Sequence, residues 1–216
     1  MKIAIVTGGS ICPEFVEEEL SREGFDAIIA VDRGADFFLT SGHTPQYIVG
    51  DFDSIAPDTL EKLEKKTGAV IEKHPSEKDE TDTELAILMA SRMKASEIVI
   101  YGGTGTRMDH VLGNIQLLKK ALECKIPCTI KDPFNRVRMI DAPLRIAKKE
   151  QYGYYVSLIP FTETVEKLTL RGMKYPLEEY TLHSGIARCV SNEIVGDVAE
   201  ISFSDGIIIV IEAKKD

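Results

Sequence analysis

Several carboxylates stand close together in this sequence, and their neighbours are glycines and hydroxyl residues rather than hydrophobic ones. Asp51 and Asp53 lie two apart in Gly50-Asp51-Phe52-Asp53-Ser54. If the chain is extended there, both side chains point to one side, roughly 6 to 7 Å apart by the rise per residue. Carboxylates brought to about 4 Å repel by ~4 kcal/mol at an effective dielectric near 20, which is tolerable when a cation lies between them. An oxygen-only ligand set suits Mg²⁺, which keeps waters and accepts phosphate oxygens as its remaining ligands. A polar turn is the alternative, with Gly50 easing the chain and Asp53 or Ser54 making an Asx or ST turn. The spacing alone leaves both readings open.

A second acidic group, Lys78-Asp79-Glu80-Thr81-Asp82, opens the clearest helical pattern, and Thr81-x-x-Glu84 fits a capping box. Capping and ligation are compatible for Asp79 and Asp82, because a helix start offers backbone N–H groups and positive dipole to phosphate. The third group is Gly102-Gly103-Thr104-Gly105-Thr106-Arg107-Met108-Asp109-His110. Its glycines look like a backbone cradle for phosphate, although they match neither the P-loop nor the full dinucleotide fingerprint. Arg107 can neutralise a phosphate bidentately, and Asp109 can accept a proton or hold a metal-bound water. Asp109 also fits an N-cap of the following helix, and His110 a satisfied, half-buried histidine. His43, His74 and His183 stand apart from these groups.

These groups need elements to carry them. Residues 1 to about 132 alternate apolar, β-rich runs (2–7, 27–31, 47–49, 69–71, 97–101 and 127–131) with amphipathic stretches, best seen at 81–93 and 111–123. Near-continuous apolar strands alternating with helices predict a doubly wound, mostly parallel sheet covered on both faces. In such a sheet ligands bind beyond the carboxyl ends of the strands. The acidic and glycine clusters follow the runs that end at Val31, Val49 and Tyr101. From about residue 135 the pattern changes to short strands at 154–159, 165–170, 199–203 and 207–212, which predicts an all-β, sandwich-like second domain. Asp205-Gly206 between the last two reads as a hairpin turn. The expected domains are therefore 1–134 and 135–216.

Composition narrows the partners. The 216 residues carry 26 Lys plus Arg against 35 Asp plus Glu, a formal charge of -9. That balance argues against a broad nucleic-acid-binding face. No apolar run approaches the ~20 residues that span a bilayer, and the start lacks a signal-peptide core, so a cytoplasmic protein is expected. The cysteines, Cys12, Cys124, Cys128 and Cys189, lack the second pair that a zinc site needs and are read as reduced packing residues. From the residues alone, this is a Mg²⁺-dependent enzyme acting on a nucleotide or another polyphosphate.

Taken in order, the three motifs with Asn114 resemble the signature of the thiamin pyrophosphokinase family, as do Arg171-Gly172-Met173-Lys174-Tyr175-Pro176-Leu177 and Val190-Ser191-Asn192 in the second half. The resemblance implies transfer of pyrophosphate from ATP to the hydroxyl of thiamin, giving thiamin diphosphate and AMP with Mg²⁺. It also implies a homodimer whose active site is shared between subunits. By position, it assigns Asp51, Asp53 and Asp79 to the metal and the triphosphate, and Asp82 and Asp109 to the nucleophilic hydroxyl and metal waters. Arg107 would meet phosphate. Gly103, Thr104 and Gly105 would approach ATP, with Asp32, His110 and Asn114 in support. Tyr175, Ser191 and Asn192 would meet thiamin, and Tyr175 stands where the family often has Trp. An aspartyl-nucleophile phosphatase, a nucleotide-sugar glycosyltransferase and a non-catalytic sensor are rival readings of the same carboxylates.

Overall fold

The structure, a computed structural model, describes residues 1–53, 55 and 57–215. It divides into two compact units, Met1–Pro133 and Phe134–Asp216.

The first unit runs β1 (Lys2–Val6), α1 (Pro13–Glu23), β2 (Ala27–Val31), a 3₁₀ segment (Asp32–Leu39), β3 (Tyr47–Gly50), α2 (Pro57–Thr67), β4 (Val70–Lys73), α3 (Asp82–Arg92), β5 (Glu97–Tyr101), α4 (Met108–Glu123) and β6 (Cys128–Lys131). Its strands pair in parallel in the order β6-β5-β1-β2-β3-β4. The apolar runs have a physical cause. On one face Ala4 and Val6 of β1, Ile28 and Ala30 of β2, and Val99 and Tyr101 of β5 pack with Val16 and Leu20 of α1 and Leu63 of α2. The alternating Ile3, Ile5, Ile29, Ile98 and Ile100 are equally buried on the other face, where α3 and α4 lie against the strands and against each other. A strand covered on both sides has no polar face to expose.

The order of the strands reverses at β1, whose neighbours are β2 and β5. Chains leaving the carboxyl ends of these two strands diverge to opposite sides and open a crevice between them. Crossings that follow the adjacent strands, and the start of α3, bring the acidic groups to that crevice.

The second unit is two antiparallel sheets. One runs β12 (Asn192–Glu193), β9 (Tyr155–Pro160), β14 (Ile208–Ala213), β7 (Asn135–Ile140). The other runs β11 (Leu177–His183), β10 (Thr164–Arg171), β13 (Val198–Ser202), β8 (Leu144–Ala147). Val156, Leu158, Ile208 and Val210 of the first and Ile146, Val165, Leu168, Leu170, Ala199 and Ile201 of the second form one core. Within this unit the carboxylate of Glu212, fully buried, is held by Arg136 at 2.7 Å and Arg138 at 2.6 Å. A buried charge is tolerable because it is paired and hydrogen-bonded in this way.

The hairpin expected at Asp205-Gly206 does not form. β13 belongs to one sheet and β14 to the other, so the turn carries the chain across the core. The expectation was sound in one respect, since Gly206 does take a positive φ of 106°. A turn signal fixes the local backbone, whereas the partner of each strand is set by side-chain packing farther away. The sequence pattern also failed to reveal the strands at β7, β8, β11 and β12, and it placed others one or two residues off.

Candidate active site

The local cause of the acidic site lies at the ends of β2 and β3. Asp32 ends the run of β2 with a positive φ of 45°, a conformation that Asp adopts more readily than most residues. Gly50 closes β3, and a Cβ there would come within 2.0 Å of Asp32 Oδ1, so only glycine leaves room for that carboxyl. Phe52 then takes a φ of 66° and buries its ring. This kink ends the extended geometry. Asp53 turns to the surface, and its backbone N–H donates to Asp51 Oδ1 at 3.0 Å. The expected pairing of Asp51 and Asp53 on one side of a strand is thus corrected: the Asx turn is made by Asp51 itself. Ser54, the other candidate for a turn there, lies outside the described residues.

Carboxylate oxygens of Asp32, Asp51 and Asp82 lie within 4.8 Å of one another. Asp82 is brought in by α3. Thr81 caps that helix, its Oγ1 accepting from the Glu84 N–H at 3.2 Å, so the anticipated capping residue is Thr81 and Asp82 is the first helical residue. The Glu84 carboxylate pairs instead with Lys120 of α4 at 3.1 Å. Thr83 hydrogen-bonds Thr7 at the end of β1, hydroxyl to hydroxyl at 3.0 Å, which fastens the helix start to the sheet. Lys78 pairs with Asp82 Oδ1 at 2.8 Å. Asp79 is exposed and outside the trio.

The electrostatics suit a cation. Asp32 Oδ1 is buried and, among the described residues, has no hydrogen-bond partner. The Asp32 carboxyl is pushed up to about 7, first by burial, then by its hydrogen bond and repulsion with Asp82 and repulsion from Asp51, against the Phe52 amide. Three hard oxygen donors with an orphaned buried lone pair match a small divalent cation such as Mg²⁺.

Beside the trio the glycine turns meet. A cleft of about 950 Å³ is lined by residues 7–10, Asp32, residues 81–83, residues 102–107 and the start of α4. The two turns are joined by backbone bonds, Gly9 N–H to Gly102 O at 3.0 Å and Ser10 N–H to Thr104 O at 2.7 Å. A Cβ on Gly9 would stand 2.2 Å from Gly102 O, and one on Gly102, whose φ is 69°, 2.2 Å from Thr7 O. The backbone approaches so closely that no side chain fits. Thr7-Gly8-Gly9 after the first strand is a signal the sequence carries without matching a phosphate-loop pattern, and the place of Asp32 in the trio likewise has no motif to announce it.

The remaining expected residues divide. Gly103, Thr104, Gly105, Arg107, Asp109, His110 and Asn114 all line the cleft. Asn114 Nδ2 donates to Gly103 O at 2.9 Å, and Thr104 Oγ1 to Asp132 Oδ2 at 2.8 Å. Arg107, not Asp109, is the N-cap residue of α4, and His110 is exposed rather than half-buried. Arg107 and Asp109 form an exposed forked pair, with Nη2 to Oδ2 at 2.6 Å. The hydrogen bond from Arg107 holds the Asp109 carboxyl below the usual carboxylate range. Asp109 is then an ionised acceptor at neutral pH and a weak base.

In the second unit Tyr175 is 59% exposed, while Asn192 is buried and exchanges bonds with the Tyr175 backbone, accepting from its N–H at 3.0 Å and donating to its carbonyl at 2.9 Å. Ser191 has a φ of 58°, and its N–H donates to Ser157 Oγ at 2.9 Å. The four cysteines are free thiols, and burial pushes Cys128 up to about 12. Among the described residues no helix is long and apolar enough to cross a membrane.

Residues 20–130 match the family model of the thiamin pyrophosphokinase catalytic domain, and residues 143–208 that of the thiamin pyrophosphokinase vitamin B1 binding domain. The chain is 38% identical over 185 residues to the thiamine pyrophosphokinase of Bacillus subtilis (strain 168), covering 86% of each. Among solved structures, that of thiamine pyrophosphokinase from Bacillus subtilis superposes with a TM-score of 0.89 at 36% identity over 100% of both chains. That of thiamin pyrophosphokinase from Geobacillus thermodenitrificans gives 0.86 at 33%, covering 100% of this chain and 99% of the other.

Proposed function

The chain belongs to the thiamin pyrophosphokinase family, and from that membership we propose that it transfers pyrophosphate from ATP to the hydroxyl of thiamin, releasing AMP and thiamin diphosphate. The observation that carries this reading is the trio of Asp32, Asp51 and Asp82, with one orphaned buried oxygen, at the mouth of a glycine-lined cleft at the switch point of the sheet.

In this reading the trio would hold Mg²⁺, and the exposed Asp53 and Asp79 would meet the metal's waters or the triphosphate. Bound there, the ion would neutralise charge on the phosphates and on the leaving AMP. Gly9 and Gly102, packed backbone to backbone without side chains, let the chain approach the triphosphate. Arg107 leaves Asp109 for phosphate when ATP arrives, since a guanidinium binds either group with the same fork. Asp109, ionised, accepts a hydrogen bond from the thiamin hydroxyl and aligns its oxygen with the β-phosphorus. A new bond forms from that oxygen to the β-phosphorus, the bond from the β-phosphorus to the α–β bridging oxygen breaks so that this oxygen leaves on AMP, and the hydroxyl proton is lost to solvent. Positioning and charge neutralisation do most of this work, as in phosphoryl transfer generally.

Tyr175, Ser191 and Asn192 belong to the thiamin side of the same proposal. The exposed Tyr175 ring, with Lys174 Nζ 5.6 Å from its centre, offers a face on which an aromatic cation can stack. Asn192 serves by holding the Tyr175 backbone, and Ser191 by the left-handed backbone turn that leads into Asn192. His110 and Asn114 border the ATP side. A catalytic domain at 1–134 and a thiamin-binding domain at 135–216, a homodimer and a cytoplasmic location complete the reading. The test is chromatography of products after incubation with ATP, Mg²⁺ and thiamin. AMP and thiamin diphosphate in equal amounts, both abolished by EDTA, support it; ADP with thiamin monophosphate, or no product, overturns it.

A further inference from the structure

We propose that Asp132 fixes the hydroxyl of Thr104 as a hydrogen-bond acceptor facing the cleft, and that its partner there is a ribose hydroxyl of the nucleotide. This rests on the reading that ATP occupies the cleft. Thr104 lines the cleft and donates its single proton to Asp132 Oδ2 at 2.8 Å. Asp132 follows β6 directly and is only 9% exposed.

A hydroxyl has one proton and two lone pairs, whereas an ionised carboxylate only accepts. With its proton committed to Asp132, Thr104 can offer the ligand lone pairs and nothing else. Phosphate oxygens are acceptors as well, so Thr104 in this state is mismatched to phosphate and matched to a hydroxyl donor. Its surroundings hold it there. Ser10 N–H bonds its carbonyl at 2.7 Å, and Asn114 fastens the preceding carbonyl, that of Gly103, at 2.9 Å.

The sheet order says which part of the nucleotide reaches it. Asp32 and Asp51 of the trio follow the ends of β2 and β3, Asp82 opens α3, and Thr104 follows β5. Two strand spacings separate β2 from β5 and three separate β3 from β5, roughly 10 to 14 Å. Phosphates drawn to the trio leave the nucleoside end of the molecule on the β5 side, with the ribose as its nearest hydroxyl donor. Asp132 is therefore a positioning residue that acts through Thr104, and the pair reads the sugar.

The test is calorimetric binding of Mg·ATP, Mg·2′-deoxy-ATP, Mg·3′-deoxy-ATP and Mg·ITP to the full chain, for the wild type, T104V, T104S and D132N. The wild type should bind ATP about three- to ten-fold more tightly than one of the two deoxy analogues, the size of one neutral hydrogen bond. T104V should bring that ratio to about one, T104S should restore it, and D132N, whose amide can present either a donor or an acceptor, should lower it. If T104V melts early, the comparison of T104S with D132N decides the same question. Equal wild-type affinities, a folded T104V that keeps the ratio, or a Thr104-dependent ratio of ATP to ITP in place of the sugar effect would overturn the inference. Turnover in the same samples is a separate readout: a Thr104-dependent sugar preference without AMP formation would uphold this inference and remove the transfer reading.

Discussion

At the scale of single residues, position in the trio matters more than proximity in the motif. A carboxylate oxygen of Asp51 lies within 4.8 Å of oxygens of Asp32 and Asp82, while Asp53 sits two residues away at the surface. The nucleotide-free protein should therefore gain thermal stability on adding Mg²⁺, because a ligand that binds only the folded state stabilises it. D51N should lose most of that gain and D53N should keep it, as read by melting curves across a Mg²⁺ titration. Equal losses in the two variants would place the ion elsewhere. The sequence exposed Asp51 and Asp82 readily, because acidic residues after apolar strands are conspicuous. It gave Asp32 only a supporting place, since its membership depends on a positive φ and on the space beside Gly50. Neither is visible in a run of letters.

Among the elements, α1 is tied to the sheet by charge as well as by Val16 and Leu20. Glu19 of α1, 3% exposed, pairs with Arg22 and Lys131 and accepts from the Tyr101 hydroxyl at 3.2 Å. Burial pushes Glu23 up, but hydrogen bonds from Lys2 and Arg22 and the charges of Lys131 and Lys2 outweigh it and hold the carboxyl at about 2. A carboxyl depressed in the folded state stabilises above its unfolded value of 4.5, and this contribution is lost as pH falls from there toward 2. After allowance for solvent screening it is about 1 kcal/mol. The difference in Tm between wild type and E23Q should shrink by about 2 to 4 °C between pH 6 and pH 2.5. A constant difference would show that the pair contributes nothing. The crossing between sheets makes a second prediction. A Cβ at Gly206 would come within 2.7 Å of Thr164 O at a φ that side chains avoid, so G206A should cost about 2 kcal/mol and lower Tm by roughly 4 to 8 °C. The periodicity of the first unit announced its parallel sheet, because burial on both faces leaves no alternative. The second unit was legible only as strands, since β13 and β14 are adjacent in sequence and paired in different sheets.

For the whole molecule the governing fact is charge. A chain of net charge -9 is expected to take a polyanion into a cleft edged by three carboxylates. At separations of a few ångströms such groups repel by several kcal/mol unless a cation stands between them. ATP binding should therefore weaken at least about ten-fold when Mg²⁺ is removed, a change that calorimetry with and without EDTA would read. Unchanged affinity would mean that the phosphates rest on Arg107 and backbone alone. The order of strands explains why this charge collects in one place, because β1 at the switch point opens the crevice toward which β2, β3 and β5 all deliver their polar ends. If pyrophosphate is transferred in this acidic crevice, the rate of AMP and thiamin diphosphate formation must depend on the trio. That rate is best measured for wild type and for folded D51N across a Mg²⁺ titration at saturating ATP and thiamin. Wild-type turnover should depend on Mg²⁺, and D51N should lose about 10² to 10³ of it, a loss that excess Mg²⁺ does not restore. Turnover by D51N at the wild-type rate would contradict transfer at this site.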